Sequence, residues 1–366
     1  MEERAARALD AEILGIIAAW HQRGESPSDA VFNDLALRVF ADQLRHNGPY
    51  ARYCARLGIT RPPASWEAIP AVPAPAFAEA ALTTFDPATA ALTFETSGTS
   101  RGMPGRHFMQ TAALYDAALL ASFDRFVLRG ARLRYLNLVP SPAERSKSSL
   151  GYMMAKISRE RGCGLTGWYL HGEELLAEAF ECDVRSAVAQ NDPVFIAATA
   201  FALVHLLDGM AERATTFELP KGSRIMTTGG FKGRSRAVEP AELENHICAR
   251  FGISHDDILS EYGMTELSSQ YYRIGTSQAY TGPPWLRTRI VGPERTTLAT
   301  GTLGSLLHVD LANRSSCVAI QTEDLGMQTS DGLLLLGRDR EADLRGCSLD
   351  AETLAIRAGG RSSSAR

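Results

Sequence analysis

The chain has 366 residues, 45% of them hydrophobic and 22% charged, and a formal net charge of −4. That composition supports a folded body with one large or two smaller cores and excludes a largely disordered chain. The weak negative charge argues against nucleic acid or an anionic membrane as the main partner, and no apolar run approaches the ~18 residues of a membrane span.

Apolar residues at helical spacing (Ala5, Leu9, Ile13, Ile16, Ile17, Trp20) predict a helix over 4–20. The same spacing recurs over 29–58, through Val31, Leu35, Leu37, Phe40, Leu44, Tyr53 and Leu57. The apolar stretch Ile13–Trp20 is short and follows acidic residues, so it does not read as a signal peptide. Prolines 62, 63, 70, 73 and 75 forbid continuous helix over 61–77 and predict an extended connection. Buried strands are then expected at 135–139, 194–198, 224–228 and 257–260, alternating with helices at 111–127, 147–161, 173–180, 199–214 and 239–251. Such alternation predicts an α/β architecture with a partly parallel sheet. From about 285 the texture changes to short β runs, 287–291, 305–309, 317–322 and 333–336, joined by glycine turns. The expected organisation is a helical N-terminal region (1–80), an α/β core (81–284), a β subdomain (285–337) and a short C-terminal remnant (338–366) whose last residues fray. The six cysteines (54, 163, 182, 248, 317, 347) form no CxxC and no zinc spacing, which favours reduced thiols in a cytoplasmic protein.

Four segments can carry chemistry. Thr93 to Arg106 packs hydroxyls and glycines after an apolar run, so backbone N–H groups and Thr96, Ser97, Thr99 and Ser100 can cradle phosphate; it is no Walker A loop, and a plain surface loop is the competing reading. Ser260-Glu-Tyr-Gly-Met-Thr-Glu266 follows a predicted strand, where open α/β sheets bind ligands; an aromatic face can stack on a base and a carboxylate can hold magnesium. Thr227-Thr-Gly-Gly-Phe-Lys232 also follows a strand, its glycines allowing close approach to a planar ligand and its lysine offering a point charge. Thr322-Glu-Asp-Leu-Gly326, read as a β-turn, and Gly337-Arg338 place an acid and an arginine within reach of sugar hydroxyls. Taken singly, each also fits an ordinary turn.

In this order along the chain the segments resemble the adenylate-forming superfamily of acyl-CoA synthetases, luciferases and peptide-synthetase adenylation domains. Within it the best match is the LuxE-type acyl-protein synthetases, with phenylacetate-CoA ligases as the nearer alternative. Further pieces are similar to the LuxE group: Pro140-Ser-Pro with Ser148-Ser-Leu150, the run Ala198–His205, and Arg345-Gly-Cys-Ser-Leu349. The resemblance runs from about 90 to 350.

The resemblance implies a large adenylate-forming α/β domain with a β subdomain, and a C-terminal lid domain absent or vestigial. It implies ATP and Mg2+, with Thr96, Ser97, Gly98, Thr99 and Ser100 on the β- and γ-phosphates. Tyr262 would stack on adenine, Thr265 meet the α-phosphate, Glu266 bind magnesium, Gly229 and Gly230 flank the adenine or acyl pocket, and Asp324 with Arg338 grip the ribose. The expected activity is conversion of a fatty or aryl acid to an acyl-adenylate and transfer of the acyl group to a thiol. The acceptor would be a protein cysteine, with a reductase or carrier protein as possible partner; the alternatives are a ligase using free CoA and a catalytically silent nucleotide- or acyl-binding protein. Relatives bring a catalytic lysine on a mobile C-terminal domain, whereas the four lysines here (147, 156, 221, 232) end at Lys232. Lys232 is therefore the candidate replacement cation, with Arg106 and His107 as further active-site candidates and Cys347 as the acyl acceptor, its thiol assisted by Arg345. Trp168, Phe195, Phe201 and Phe231, with Ala197, Ala198 and Ala200, are candidate walls of the acyl pocket.

Overall fold

The computed structural model describes residues 2–96, 103–164, 166–172, 174–229 and 239–338, with side chains from residue 6 onward. In chain order its helices are α1 Glu2–Arg23, α2 Asp29–His46, α3 Gly48–Arg56, α4 Ala76–Glu79, α5 Ala113–Ser122, α6 Ser149–Arg161, α7 Ala177–Gln190, α8 Ala200–Glu212 and α9 Pro240–Phe251. The strands are β1 Val72–Pro73, β2 Leu92–Glu95, β3 Arg106–Met109, β4 Arg134–Pro140, β5 Gly167–His171, β6 Glu174–Leu175 and β7 Val194–Thr199. They continue with β8 Arg224–Thr228, β9 Ile258–Tyr262, β10 Tyr271–Ile274, β11 Leu286–Val291, β12 Gly304–Asp310, β13 Ala319–Thr329 and β14 Gly332–Arg338.

These elements fall into two compact units. The first gathers residues 2–118, Thr265–Ser269 and 283–338; the second holds Leu119–Met264 and Gln270–Gly282. The grouping differs from the consecutive blocks 1–80, 81–284 and 285–337, because pairings distant in sequence bind the chain ends together. Strand β1 runs parallel to β13, with Val72 opposite Ile320. From α2, the buried Gln43 side chain donates to the carbonyls of Asn313 and Arg314 and accepts from the N–H of Val318. The buried Asn47 amide donates to the Ser316 carbonyl, and Trp20 meets Trp285 edge to face at 5.2 Å.

The first unit contains the sheet β1-β13-β12-β11, with β14 on β13, and the separate hairpin β2–β3. Strand β13 corrects the expected turn at Thr322–Gly326: those residues continue one strand of 11 residues, displaced in register between Leu325 and Gly326. The absent side chain at Gly326 makes this possible, since a Cβ there would collide with the Leu334 carbonyl of β14.

In the second unit, seven strands lie in the order β10-β9-β8-β7-β4-β5-β6. Strands β9, β8, β7, β4 and β5 are parallel, and the two edge strands are antiparallel to their neighbours. The core is continuous from Leu136 and Ile196 on the sheet to Phe180, Leu203, Ile247 and Phe251 on the helices. The expected helix at 173–180 starts only at Ala177, because Glu174 and Leu175 pair with His171 and Leu170 at the sheet edge. The chain order reverses around β4, flanked by β5 on one side and β7 on the other, which makes a switch point. Hydroxyl caps start both following helices: Ser148 accepts from the Gly151 N–H of α6, and Thr199 from the Ala202 N–H of α8. No helix of the described residues is long and apolar enough to cross a membrane.

Candidate active site

In the first unit, the hairpin β2–β3 frames the loop read from sequence as a phosphate cradle. Phe94 pairs with His107 and Glu95 with Arg106. The ladder extends one step further, as the Thr96 N–H donates to the Gly105 carbonyl at 3.0 Å and the Gly105 N–H to the Thr96 hydroxyl at 2.9 Å. Thr96 thus forms the base of the loop. Ser97, Gly98, Thr99 and Ser100 lie outside the described residues. Gly105 is closely enclosed: a Cβ there would stand 3.2 Å from the Thr96 methyl and 3.5 Å from Glu266 Oε1. The Glu266 carboxylate, which is 7% exposed, therefore sits at the foot of the candidate phosphate loop, although 170 residues separate it from Thr96.

Four side chains fix the five-residue segment around that carboxylate. His107 Nδ1 lies 2.9 Å from the Thr265 carbonyl, an acceptor, so the ring nitrogen donates. His107 is buried beside Phe77, and burial lowers its pKa to about 4, so the ring is neutral at pH 7. The Asn313 amide donates to the Glu266 carbonyl at 2.8 Å and accepts from the Ser268 N–H at 2.8 Å. Asp310, fully buried, accepts from the Ser268 N–H and the Ser269 hydroxyl. Burial raises the Asp310 pKa to about 6, against the opposing pull of its hydrogen bonds. The Trp285 indole donates to the Ser269 hydroxyl at 2.9 Å. Asp310, Asn313 and Trp285 carry no sequence motif, and sequence reading missed them.

Also in this unit, Asp324 and Arg338 stand opposite each other on β13 and β14, and Arg338 Nε donates to Asp324 Oδ1 at 3.1 Å. The acid and the arginine singled out from sequence are thus joined, with the arginine largely exposed. Arg106 lies over the Phe108 ring at 5.4 Å.

In the second unit, the carboxyl ends of β8 and β9 bring two further segments side by side. Thr227 pairs with Ser260 and Thr228 with Glu261. Gly229 follows with φ +71°, a left-handed turn open to glycine at no steric cost. Tyr262 ends β9, its ring 5.9 Å from Tyr271 and 6.3 Å edge-on to Tyr280. Gly230, Phe231 and Lys232 lie outside the described residues, as does Cys347. Of the candidate acyl-pocket walls, Phe195, Ala197 and Ala198 are fully buried core, Phe195 packing on Phe123 and Tyr135, while Phe201 is exposed.

Among the described residues no group of three His, Cys, Asp or Glu side chains is placed to hold a metal ion. A buried carboxylate such as that of Glu266, at the candidate phosphate loop, has the chemistry of a magnesium ligand, since magnesium keeps several waters and takes few protein ligands. Burial raises the thiol pKa of Cys54 to about 12 and pushes those of Cys317 and Cys248 upward, so these three thiols are poorly primed as nucleophiles.

Comparison with known proteins places this architecture. The chain aligns with McyG A-PCP complexed with phenylalanyl-adenylate (TM-score 0.51, 19% identity, 70% of this chain and 48% of that one). It also aligns with ATP-bound MatB from Rhodopseudomonas palustris (TM-score 0.50, 16% identity, 70% of this chain and 49% of that one). The chain spans about half the length of these proteins. The fold is that of the adenylate-forming synthetases. Within that class, residues 18–354 match the family model for LuxE, acyl-protein synthetase, and the chain belongs to that family. No match was found among curated proteins.

Proposed function

We propose that this protein activates a carboxylic acid with ATP as an acyl-adenylate and passes the acyl group to a thiol. The observation that carries the reading is the Glu266 carboxylate against Gly105, at the base of the Thr96–Ser100 loop. A buried carboxylate beside Gly105 supports a magnesium-binding role for Glu266. Magnesium, when bound there, neutralises triphosphate charge.

The residues divide the work as follows. Hydroxyl and backbone donors of Thr96–Ser100 orient the β- and γ-phosphates, the Tyr262 ring stacks on adenine with Gly229 and Gly230 beside it, and Asp324 with Arg338 holds the ribose. Thr265 meets the α-phosphate, its backbone held by His107, which acts here as a neutral positioning residue and not as a proton carrier. The substrate carboxylate attacks the α-phosphorus and pyrophosphate leaves; positioning and charge stabilisation supply most of the rate. Lys232 supplies the cation that relatives bring from a C-terminal domain. The Cys347 sulfur then attacks the acyl carbonyl, AMP leaves, and the thiol proton is released.

Labelling with a radioactive fatty or aryl acid, ATP and Mg2+ tests the sequence of steps. Wild type is expected to become labelled in a hydroxylamine-sensitive bond, and Cys347→Ser to lose the label while keeping acid-dependent pyrophosphate exchange. Equal labelling of Cys347→Ser would remove Cys347 from the reaction; CoA-dependent product without labelled protein would identify CoA as the acceptor.

A further inference from the structure

Arg273 and Tyr280 belong to no motif assigned above, yet both reach the end of β9, where Tyr262 lies. In β10, Arg273 stands opposite Ser260 and Tyr271 opposite Tyr262. The buried Arg273 guanidinium pairs with Glu244 of α9 and donates to the Ser260 hydroxyl at 2.8 Å. It also donates to the Gly275 and Ser277 carbonyls at 3.3 and 3.1 Å and bonds the Tyr280 hydroxyl. The segment 275–282 after β10 is folded back along it, as Tyr272 and Thr281 exchange both N–H to carbonyl bonds at 2.9 Å. Gly275 opens the segment with φ +59°, and Gly282 closes it where a Cβ would stand 2.6 Å from the Tyr271 ring.

Burying a guanidinium is costly unless its donors are met, and here a carboxylate, hydroxyls and two carbonyls meet them. A planar fork bonded on several sides has one geometry, so the segment it grips is fixed relative to β9 and α9. That segment brings one ring to Tyr262. Tyr280 meets it at 6.3 Å with the planes at 71°, and Tyr271 meets it at 5.9 Å and 43°. Edge-to-face rings at such distances attract beyond their buried area. Tyr271 is buried and set by strand pairing, whereas Tyr280 is half-buried and reaches Tyr262 only through the folded-back segment.

Tyr262 itself is half-buried at the end of its strand. An aromatic side chain in such a place loses rotamer freedom when a ligand stacks on it, and that loss opposes binding. Rings packed against it beforehand remove the loss. We infer that Tyr280, anchored by Arg273, is a positioning residue that sets the Tyr262 ring in its stacking orientation before a nucleotide binds; this rests on the assignment of Tyr262 to adenine proposed above. Tyr280 acts through Tyr262 and needs no contact with the nucleotide.

A double-mutant cycle of Tyr262→Ala and Tyr280→Ala, read as the Kd for ATP with Mg2+ by calorimetry, tests it without requiring turnover of any acid. Tyr280→Ala is expected to raise Kd about three- to ten-fold, the worth of an aromatic pair, and Tyr280→Phe, which keeps the ring, to stay within about two-fold of wild type. In the Tyr262→Ala background, Tyr280→Ala should change Kd by less than about two-fold, since its effect runs through the missing ring. Tyr280→Leu keeps bulk in the segment and is expected to weaken binding as Tyr280→Ala does, so a folding defect in the alanine variant does not decide the result. An equal loss in both backgrounds, a Tyr280→Ala that binds as wild type does, or a Tyr280→Phe as weak as Tyr280→Ala overturns the inference and leaves Tyr262 on adenine. A Tyr262→Ala that binds ATP as tightly as wild type, or a wild type that binds no ATP, overturns both.

Discussion

His107 commits one ring nitrogen to the Thr265 carbonyl while burial lowers its pKa from the ordinary 6.5 to about 4. A histidine held neutral stabilises the fold above pH 6.5 and loses that contribution as pH falls toward 4, because the unfolded ring takes a proton that the folded one refuses. Between pH 7 and pH 5 the loss is about 2 kcal/mol. His107→Gln should lack it, so the stability gap between wild type and variant in urea unfolding should narrow by about 2 kcal/mol at pH 5; a gap independent of pH would show that the ring charges in the fold. The candidate loop, Tyr262, Glu266, Asp324 and Arg338 could be proposed from the sequence because their residue types are tied to chemistry at short spacing. His107 was legible as a residue near the site, but its partner lies 158 residues away in sequence and no local pattern reveals it.

The segment Thr265–Ser269 has no regular hydrogen bonding of its own, and its conformation is imposed by the β12–β13 connection. Asn313 serves the Glu266 carbonyl, the Cys317 carbonyl and, together with Asp310, the Ser268 N–H. Asn313→Ala should cost about 1–3 kcal/mol for each buried group left unpaired, read by denaturant unfolding. It should also lower exchange activity, because the Glu266 backbone loses its support. Full activity and stability together would mean that the clamp is dispensable. Sequence periodicity located the parallel strands β4, β7, β8 and β9, since continuous apolar runs are what a strand buried on both faces requires. It missed β1, β2, β3, β6 and β10, which are short, and the parallel strand β5, and it read the middle of β13 as a turn because Glu, Asp and Gly are turn formers in isolation. Pairing on both sides of β13 overrides that preference.

Across the whole molecule, the segment order of the adenylate-forming enzymes was readable from the sequence, whereas the grouping into units was not. Contacts such as Val72 with Ile320 and Gln43 with Val318 leave no trace in local composition. The family match, beginning at residue 18, extends the relationship into the helical N-terminal region, which carries none of the nucleotide motifs. The helices α1 and α2 contribute Trp20 and Gln43 to the packing around 285 and 313–318, so they support the β11–β13 sheet. Gln43→Ala should leave the Arg314 carbonyl and the Val318 N–H unpaired, the Asn313 carbonyl keeping its bond from the Ser316 N–H, and destabilise the first unit by about 1–3 kcal/mol per group left unpaired, again read by denaturant unfolding.

Acid activation at Glu266 is tested most directly by ATP–pyrophosphate exchange across fatty and aryl acids, with wild type and Glu266→Gln compared at equal Mg2+. Wild type should exchange only when a suitable acid is present, and Glu266→Gln should fall by about 100-fold or more while keeping its fold. Exchange of equal rate in Glu266→Gln, or a wild type that binds ATP and exchanges with no acid, would contradict the assignment.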